Sequence, residues 1–251
     1  MLVLFTDFGF ADPYVGQMKA RLVERAPGVA IIDLLHDVTP FNAHAGAQLL
    51  DALAAQFAPG SVFVCVVDPG VGTPRQALVL SAGGRWYVGP DNGLLSIVAQ
   101  RASDARWWRI TWHPDHLSKT FHGRDIFAPV AALIAAGQCP ADWLDEIPAP
   151  EVEFDAGDLA RVIHVDHYGN AWTGIRAANL PRSTRVRVGG REFVHAETFG
   201  QVGKGRGFWM ANSSGLLEIA MNRGHAAREF GLEIGDRVEM LDAVAGRPRL
   251  N

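Results

Sequence analysis

Cysteine is scarce in this sequence. Its 251 residues include two cysteines, Cys65 within an apolar run and Cys139 beside Pro140. Their spacing fits neither a metal-ligand pattern nor a redox pair, which favours a reducing compartment; a chance disulfide is the alternative. A long apolar segment is missing too, because Asp7 interrupts the first apolar run after six residues, too early for a signal peptide or a membrane span. We therefore expect a cytoplasmic protein without a membrane partner.

Positive charge is not in excess. Lys and Arg together number 23 against 27 Asp and Glu, which gives a formal net charge of -4. Proteins that bind nucleic acids or anionic lipids through phosphate contacts usually carry a basic patch or stripe. The sequence therefore argues against nucleic acids and membrane surfaces as partners.

Several catalytic signatures are also missing. The spacings HxH, HxxE and HExxH do not occur, so a metal site built from Asp and His is the less favoured alternative and no metal is expected. The glycine-rich residues 68–72 match neither a phosphate loop nor GxGxxG, because position 75 is Arg75 rather than glycine. No GxSxG elbow occurs and Cys65 lies inside an apolar run, so the sequence offers no nucleophile for acyl transfer.

Apolar runs that stop at a carboxylate are what the sequence does contain. Residues 62–67 read as a buried strand and end at Asp68, which two prolines and two glycines separate from Arg75. Similar strands are predicted before Asp7 and before Asp91. The strand at 30–34 ends among Asp33, His36 and Asp37. Because ligands bind at the carboxyl ends of strands in open α/β sheets, these acids together predict a polar rim; each alone could be a turn former or a cap.

The order of elements predicts an α/β fold with two domains. Predicted helices at 13–25, 43–57 and 126–136 alternate with the strands, and short connections indicate right-handed parallel crossovers. Residues 1–150 should therefore form a layered α/β domain with a mostly parallel sheet. Beyond Pro148-Ala149-Pro150, short alternating runs and glycine-rich turns predict an all-β barrel domain over residues 151–251.

His122 stands out among nine histidines because it lies between Phe121 and Gly123, directly before a predicted helix. A neighbouring group could fix its tautomer and charge there, as a general base or a water-orienting residue requires. A structural histidine is the alternative interpretation.

Five motifs follow one another along the chain: TDFG at 6–9, VDPGVG at 67–72, GPDNGLL at 89–95, TFHGRD at 120–125 and DHYGN at 166–170. Together they resemble the S-adenosyl-L-methionine (SAM) hydroxide adenosyltransferases, also called adenosine-forming SAM hydrolases, which are related to SAM-dependent fluorinase and chlorinase. The resemblance implies cleavage of SAM by water to adenosine and L-methionine without a cofactor or metal. It also implies a homotrimer whose active sites lie between the N-terminal domain of one subunit and the C-terminal barrel of the next.

The same resemblance implies roles for individual residues. Asp68, Arg75 and His122 would form a triad that holds the attacking water, and either Asp68 or His122 would accept its proton. The halogenases carry tyrosine at the position of Asp68 and Tyr-Ser at 122–123, so this chain favours hydroxide over halide. The implied substrate contacts are Asp7 for the ribose diol, Phe41 and Phe199 for ribose and adenine, Asn170 for the adenine edge, and Asp166 and Ser213 for the amino acid end of methionine.

One position departs from the family pattern, Gly174, where asparagine is expected; this puts a secondary contact in doubt. Two other functions remain open beside hydrolysis. One is a protein that binds SAM or adenosine as a sensor without cleaving it, and the less favoured other is a SAM-dependent halogenase.

Overall fold

A seven-stranded sheet forms the middle layer of the N-terminal part of the chain. In the computed structural model, which describes residues 1–241, its strands lie in the order β2-β1-β3-β5-β4-β6-β7. Five of the seven strands, β1, β2, β3, β5 and β6, run in one direction. The other two, β4 and β7, run in the opposite direction and are antiparallel to their neighbours. The predicted mostly parallel sheet is confirmed. The strands are β1 (Leu2–Thr6), β2 (Ile31–Leu35), β3 (Val62–Val66), β4 (Ala77–Ala82), β5 (Arg85–Pro90), β6 (Arg106–Ile110) and β7 (Leu144–Ile147).

Four helices cover the sheet, three of them at predicted positions, whereas α3 was not predicted from the sequence. They are α1 (Tyr14–Arg25), α2 (Ala43–Ala54), α3 (Ser96–Arg101) and α4 (Ala128–Ala135), the last preceded by a π-helical turn, Gly123–Phe127. Every residue of β1 and β3 is buried, as expected for strands with both faces covered. Asn42 caps the N-terminus of helix α2, because its Oδ1 accepts the N–H of Ala45. Helix α2 ends at Ala54 rather than at the predicted Phe57. The N–H groups of Gln56 and Phe57 donate to carbonyl groups three residues earlier in the chain, not four as in an α-helix.

The structure divides into two units between Gly157 and Asp158, seven residues beyond the predicted boundary at Pro150. Side chains of the first unit bind the backbone of the segment 151–157, which lies beyond the predicted boundary. The Asp91 carboxylate accepts the N–H groups of Glu151 at 3.0 Å and Val152 at 3.2 Å, and Ser96 Oγ accepts that of Phe154 at 3.1 Å. The segment 151–157 therefore belongs to the α/β unit.

Asp91→Ala is expected to lower the free energy of unfolding by about 2–3 kcal/mol. The carboxylate is buried, and its loss leaves two backbone donors unpaired. Urea unfolding followed by tryptophan fluorescence measures the change. Asp145→Ala is the control, because the Asp145–Arg109 ion pair is exposed and should contribute less than about 1 kcal/mol. Equal losses in the two variants would contradict the anchoring role of Asp91.

Two antiparallel sheets make up the second unit. One has the order β11-β10-β14 and the other β12-β13-β9-β8. Single bridges, Arg161–Arg237 and His195–Trp209, connect the two sheets on both sides, and within residues 158–241 no continuous ladder joins them. The antiparallel sheets are as predicted, whereas a closed barrel stays a prediction. The strands are β8 (Leu159–Val165), β9 (Ala171–Arg176), β10 (Arg185–Val188), β11 (Arg191–Phe193), β12 (Gly207–Ala211), β13 (Leu216–Met221) and β14 (Val238–Leu241), with one short helix, α5 (Ala226–Phe230).

The last ten residues of the predicted second domain, 242–251, lie outside the described part of the chain. Within residues 1–241, none of the helices has both the length and the apolar character needed to cross a membrane.

Candidate active site

The carboxyl ends of β1 and β3 bring Asp7 and Asp68 to one edge of the sheet. The two strands are parallel neighbours in which Thr6 pairs with Val66, and the N–H of Asp7 donates to the Val66 carbonyl. A cavity of about 460 Å³, here called the strand-end cavity, opens at this edge. Its lining includes Asp7, Phe41, Asp68, Thr120, Phe121 and His122.

Arg75 brings the three predicted catalytic residues together. Its Nη2 donates to Asp68 Oδ2 at 2.5 Å and to His122 Nδ1 at 3.3 Å. The side chains of Arg75 and Asp68 are 8% and 5% exposed, so this ion pair is largely shielded from solvent. The guanidinium therefore fixes both the carboxylate and the imidazole at the cavity.

A close backbone approach explains how the loop after β3 reaches His122. Gly72 has φ +80°, and a Cβ at this position would lie 2.4 Å from the carbonyl oxygen of Lys119. Only glycine allows that conformation and that contact without displacement. The Lys119 segment is itself held by Asp125, which accepts the N–H of Ser118 at 2.9 Å and the Nε–H of Arg124 at 2.6 Å. The two loops therefore pack directly against each other.

Burial and the guanidinium set the protonation states of the triad. Burial raises the pKa of the Asp68 carboxyl, while the charge and the hydrogen bond of Arg75 lower it. Burial also lowers the pKa of His122, and the positive charge of Arg75 lowers it further. His122 is therefore neutral at pH 7. Since Arg75 can only donate, Nδ1 of His122 must accept, and this assigns the ring proton to Nε2.

The second oxygen of Asp68 is the acceptor that remains. Asp68 Oδ1 is buried and accepts no hydrogen bond from residues 1–241. Asp68 lines the strand-end cavity, so a small donor such as water could satisfy this oxygen there.

Asp7 and Phe41 lie at the same cavity. The Phe41 N–H donates to Asp7 Oδ2 at 3.3 Å, and Phe41, which is 78% exposed, adopts φ 63°. A positive φ is unfavourable for a bulky residue, so the fold holds Phe41 in a strained conformation. Burial raises the pKa of Asp7, and the Phe41 N–H opposes that rise.

The acids and histidine at the end of β2 do not join this site. His36 is buried and hydrogen-bonds Thr6 Oγ1 at 2.8 Å and Asp33 at 3.0 Å, while Asp33 also pairs with Lys19. Within residues 1–241, no three His, Cys, Asp or Glu side chains are grouped so that they could hold a metal ion.

Asn170 and Phe199 line a second cavity, of about 570 Å³, within the second unit. Asn170 donates its N–H to Asp166 Oδ1 at 2.8 Å and its Nδ2–H to Oδ2 at 3.0 Å. Ser213 lies in the exposed turn between β12 and β13. The structure thus brings Asp7 and Phe41 together in one unit, and Asn170 and Phe199 together in the other.

The departure at Gly174 has a steric reason. A Cβ at this position would lie 2.7 Å from both the carbonyl oxygen and the Cβ of Leu159 on the neighbouring strand β8. An asparagine side chain would require β8 to move, so glycine suits this strand pair.

Sequence reasoning missed Glu218, which also lines the second-unit cavity. It lies in β13, where every residue is buried. Its signal in the sequence is a single carboxylate inside the apolar run 216–221. Tyr14 and Gln17 of α1, which line the strand-end cavity, were missed as well because helix periodicity does not identify ligand contacts.

Comparisons with known proteins agree with this division. Residues 2–143 match the model of the SAM hydroxide adenosyltransferase N-terminal domain, and residues 160–239 match that of the C-terminal domain. The (R)-S-adenosyl-L-methionine hydrolase of Thermus thermophilus is 39% identical, with 94% of this chain and 97% of that protein aligned. The hydrolase of the same name from Salinispora arenicola is 40% identical, with 94% of this chain and 95% of that protein aligned.

More distant relatives and a solved structure extend the comparison. A fluorinase of Nocardia brasiliensis is 26% identical, with 96% of each chain aligned. The crystal structure of an uncharacterized conserved protein from Thermotoga maritima superimposes with a TM-score of 0.87 at 36% identity, covering 96% of this chain and 99% of that one. This chain therefore belongs to the SAM hydroxide adenosyltransferase family.

Proposed function

We propose that this protein hydrolyses SAM to adenosine and L-methionine. The observation that carries the proposal is the contact of Arg75 with both Asp68 and His122, beside a buried Asp68 oxygen that takes no donor from residues 1–241. Two relatives of about 40% identity that are named SAM hydrolases support it. So does the aspartate at position 68, where the halogenases carry tyrosine.

The reaction is an in-line displacement at C5′ of SAM. The water oxygen forms a bond to C5′ as the C5′–S bond breaks. The electron pair of the C5′–S bond goes to sulfur, which leaves as the neutral thioether of methionine. The water loses one proton. Because an anionic nucleophile meets a sulfonium cation, charge is neutralised in the transition state, and a site sheltered from solvent favours this step. A neutral thioether needs no Lewis acid to leave, so we propose that neither metal nor cofactor takes part.

Asp68 is the proton acceptor in this scheme. Arg75 occupies Nδ1 of His122, so the neutral imidazole has only an N–H, at Nε2, to offer the water. His122 therefore orients the water by donating to its oxygen, and Asp68 Oδ1 accepts the proton. Arg75 holds both groups at the cavity. Positioning the water on the C5′–S line lowers the activation barrier further, because the nucleophile is already in place for in-line attack.

The remaining predicted contacts complete the proposal. Asp7 would accept hydrogen bonds from the ribose diol, Phe41 and Phe199 would cover ribose and adenine, and Asn170 would contact the adenine edge. Asp166 and Ser213 would bind the amino acid end of methionine. We further propose a homotrimer in which the second unit of one subunit supplies its four contacts to the strand-end cavity of a neighbouring subunit, where Asp7 and Phe41 already lie. The four are Asp166, Asn170, Phe199 and Ser213.

We expect kcat/KM to fall at acid pH. Asp68 accepts a proton only when ionised, and burial raises its pKa above the ordinary value of 3.8, so protonation begins at a higher pH than for an exposed aspartate. Initial rates of adenosine release between about pH 4 and pH 9 measure the profile. His122→Gln removes the other ionisation nearby and should keep the acid limb; loss of the limb in that variant would assign it to His122 instead.

Incubation of SAM with the purified protein, followed by chromatography, tests the activity itself. Adenosine and methionine in equal amounts are expected, with or without chelator. Unchanged SAM would favour a sensor, chlorinated adenosine in the presence of chloride would favour a halogenase, and loss of activity with chelator would indicate a metal enzyme.

A further inference from the structure

A second cavity of the first unit adjoins the proposed triad and is here called the rear cavity. Its volume is about 500 Å³. His122 lines both this cavity and the strand-end cavity, whereas Asp68 lines the strand-end cavity and Arg75 the rear cavity. Because Arg75 hydrogen-bonds both of the other residues, the three side chains together form a partition between the two cavities. The proposed mechanism uses only the side of this partition that faces the strand-end cavity.

Two loops continue the partition beyond the triad. In the loop after β3, Val71 lines the strand-end cavity and Gly72 lines the rear cavity. In the loop before the π-helical turn, Thr120 lines the strand-end cavity and Lys119 lines the rear cavity. The two loops meet where Gly72 lies against the Lys119 carbonyl. Since adjacent residues of each loop line opposite cavities, a single layer of chain separates the two spaces.

The lining of the rear cavity suits water. Four of its polar residues are exposed and give it an opening to solvent: Thr73, Arg109, His113 and Lys119. A polar cavity far larger than one water molecule, with exposed residues around it, admits solvent. The guanidinium groups at this cavity are already paired, that of Arg75 with Asp68 and that of Arg109 with Asp145, which favours water over an anion as its occupant.

Buried atoms of the partition itself also call for water. Within residues 1–241, Arg75 Nε has no acceptor and Asp68 Oδ1 has no donor, although both atoms are buried. Buried polar atoms of this kind are usually satisfied by ordered water, which can both accept and donate. One of the two residues lines the rear cavity and the other the strand-end cavity. Water that binds first at Arg75 and then at Asp68 would therefore pass from one cavity to the other.

The stereochemistry of the reaction makes such a passage useful. In-line attack requires the water to lie opposite the sulfur, between C5′ of SAM and the triad. The strand-end cavity, of about 460 Å³, is of the size that a ligand such as SAM largely fills. Bound SAM then obstructs the approach of water from its own side. Each turnover consumes a water molecule, so a supply from the other side of the triad keeps the nucleophile available.

We propose that the rear cavity is the route by which water reaches the triad while SAM occupies the strand-end cavity. This inference rests on the proposed function, because it takes SAM as the occupant. His122 is common to both cavities, so a movement of its ring opens the partition. The passage itself only exchanges water, and no covalent bond forms or breaks in it.

Oxygen exchange within a single turnover tests the route. An excess of the intact protein binds SAM in ordinary water, and the complex is diluted at once into H₂¹⁸O that contains ¹³C-labelled SAM. Adenosine without ¹³C then comes only from SAM that was bound before dilution. For the wild type we expect the 5′ oxygen of this adenosine to carry the ¹⁸O fraction of the mixed solvent, as measured by mass spectrometry.

Variants that narrow the rear cavity should lose this exchange. His113→Trp and Leu117→Trp add bulk to its lining, so the water enclosed with SAM is used first and adenosine from prebound SAM should lose most of its ¹⁸O, with an unchanged dissociation constant for SAM. His113→Ala removes the same imidazole without filling the cavity and should exchange like the wild type. His116→Trp is the matched control, because His116 is exposed in the same loop but lines a different cavity.

The label and the amount of adenosine give separate answers. Ordinary oxygen in the adenosine of the wild type would mean that water is sealed in with SAM and would overturn the route. Wild-type ¹⁸O in both rear-cavity tryptophan variants, or an equal loss of ¹⁸O in His116→Trp, would also overturn it, and SAM hydrolysis would still stand. A wild type that forms no adenosine at all would instead contradict the hydrolysis on which the route depends.

Discussion

Asp68→Asn is expected to lower kcat for adenosine release about a thousandfold while changing the dissociation constant for SAM by less than about threefold. The amide keeps the shape of the carboxylate and can still accept from Arg75, but it cannot take a proton from water. Because this proton is transferred only as the C5′–O bond forms, the loss should appear in kcat rather than in binding. Chromatographic rates at saturating SAM and calorimetric titration with SAM measure the two quantities.

Asp37→Asn is the matched control for this variant. Asp37 is an exposed carboxylate just beyond the end of β2, the neighbour of β1, and it does not line the strand-end cavity. The same chemical change there should alter kcat by less than about twofold. Wild-type turnover in Asp68→Asn would refute the proton-accepting role, and a larger loss in His122→Gln than in Asp68→Asn would assign that role to His122.

The proximity of Asp7 and Asp68 was predictable from the sequence. Both follow short buried strands joined by helical crossovers, and such strands end at the same edge of a parallel sheet. The same pattern also pointed to Asp33, which instead pairs with Lys19 and His36. Strand pattern gives the edge at which a side chain emerges, but its partners depend on side chains from other elements.

Contacts between loops were beyond sequence reasoning. The meeting of Arg75 with His122 depends on Gly72 lying against the carbonyl of Lys119, 47 residues further along the chain. The end of the first unit depends in the same way on Asp91 and Ser96, whose partners in the segment 151–157 follow about 60 residues later. Neither contact leaves a local signal in composition or periodicity. The tautomer of His122, and with it the choice of Asp68 as the acceptor, follows only from the position of Arg75.

Co-assembly of two inactive variants is expected to restore activity. Asp68→Asn removes the proton acceptor in the first unit, and Asn170→Ala removes a proposed adenine contact in the second. If each site of a cyclic trimer combines the first unit of one subunit with the second unit of the next, every trimer containing both variants has one intact site out of three. Co-expression with two different tags and purification of assemblies carrying both should then give about one third of the wild-type kcat/KM, measured with SAM well below KM.

A pair of variants in the same unit provides the control for co-assembly. Asp68→Asn mixed with Arg75→Met leaves every site without an intact triad, so these assemblies should stay inactive although they contain the same tags and the same number of substitutions. Mixed Asp68→Asn and Asn170→Ala assemblies that are no more active than either variant alone would contradict shared sites, and a monomeric mass by light scattering would contradict the trimer. Restoration is expected because the groups that act on water lie in one unit and the proposed adenine contacts in the other, so each variant damages a part that its neighbour can supply.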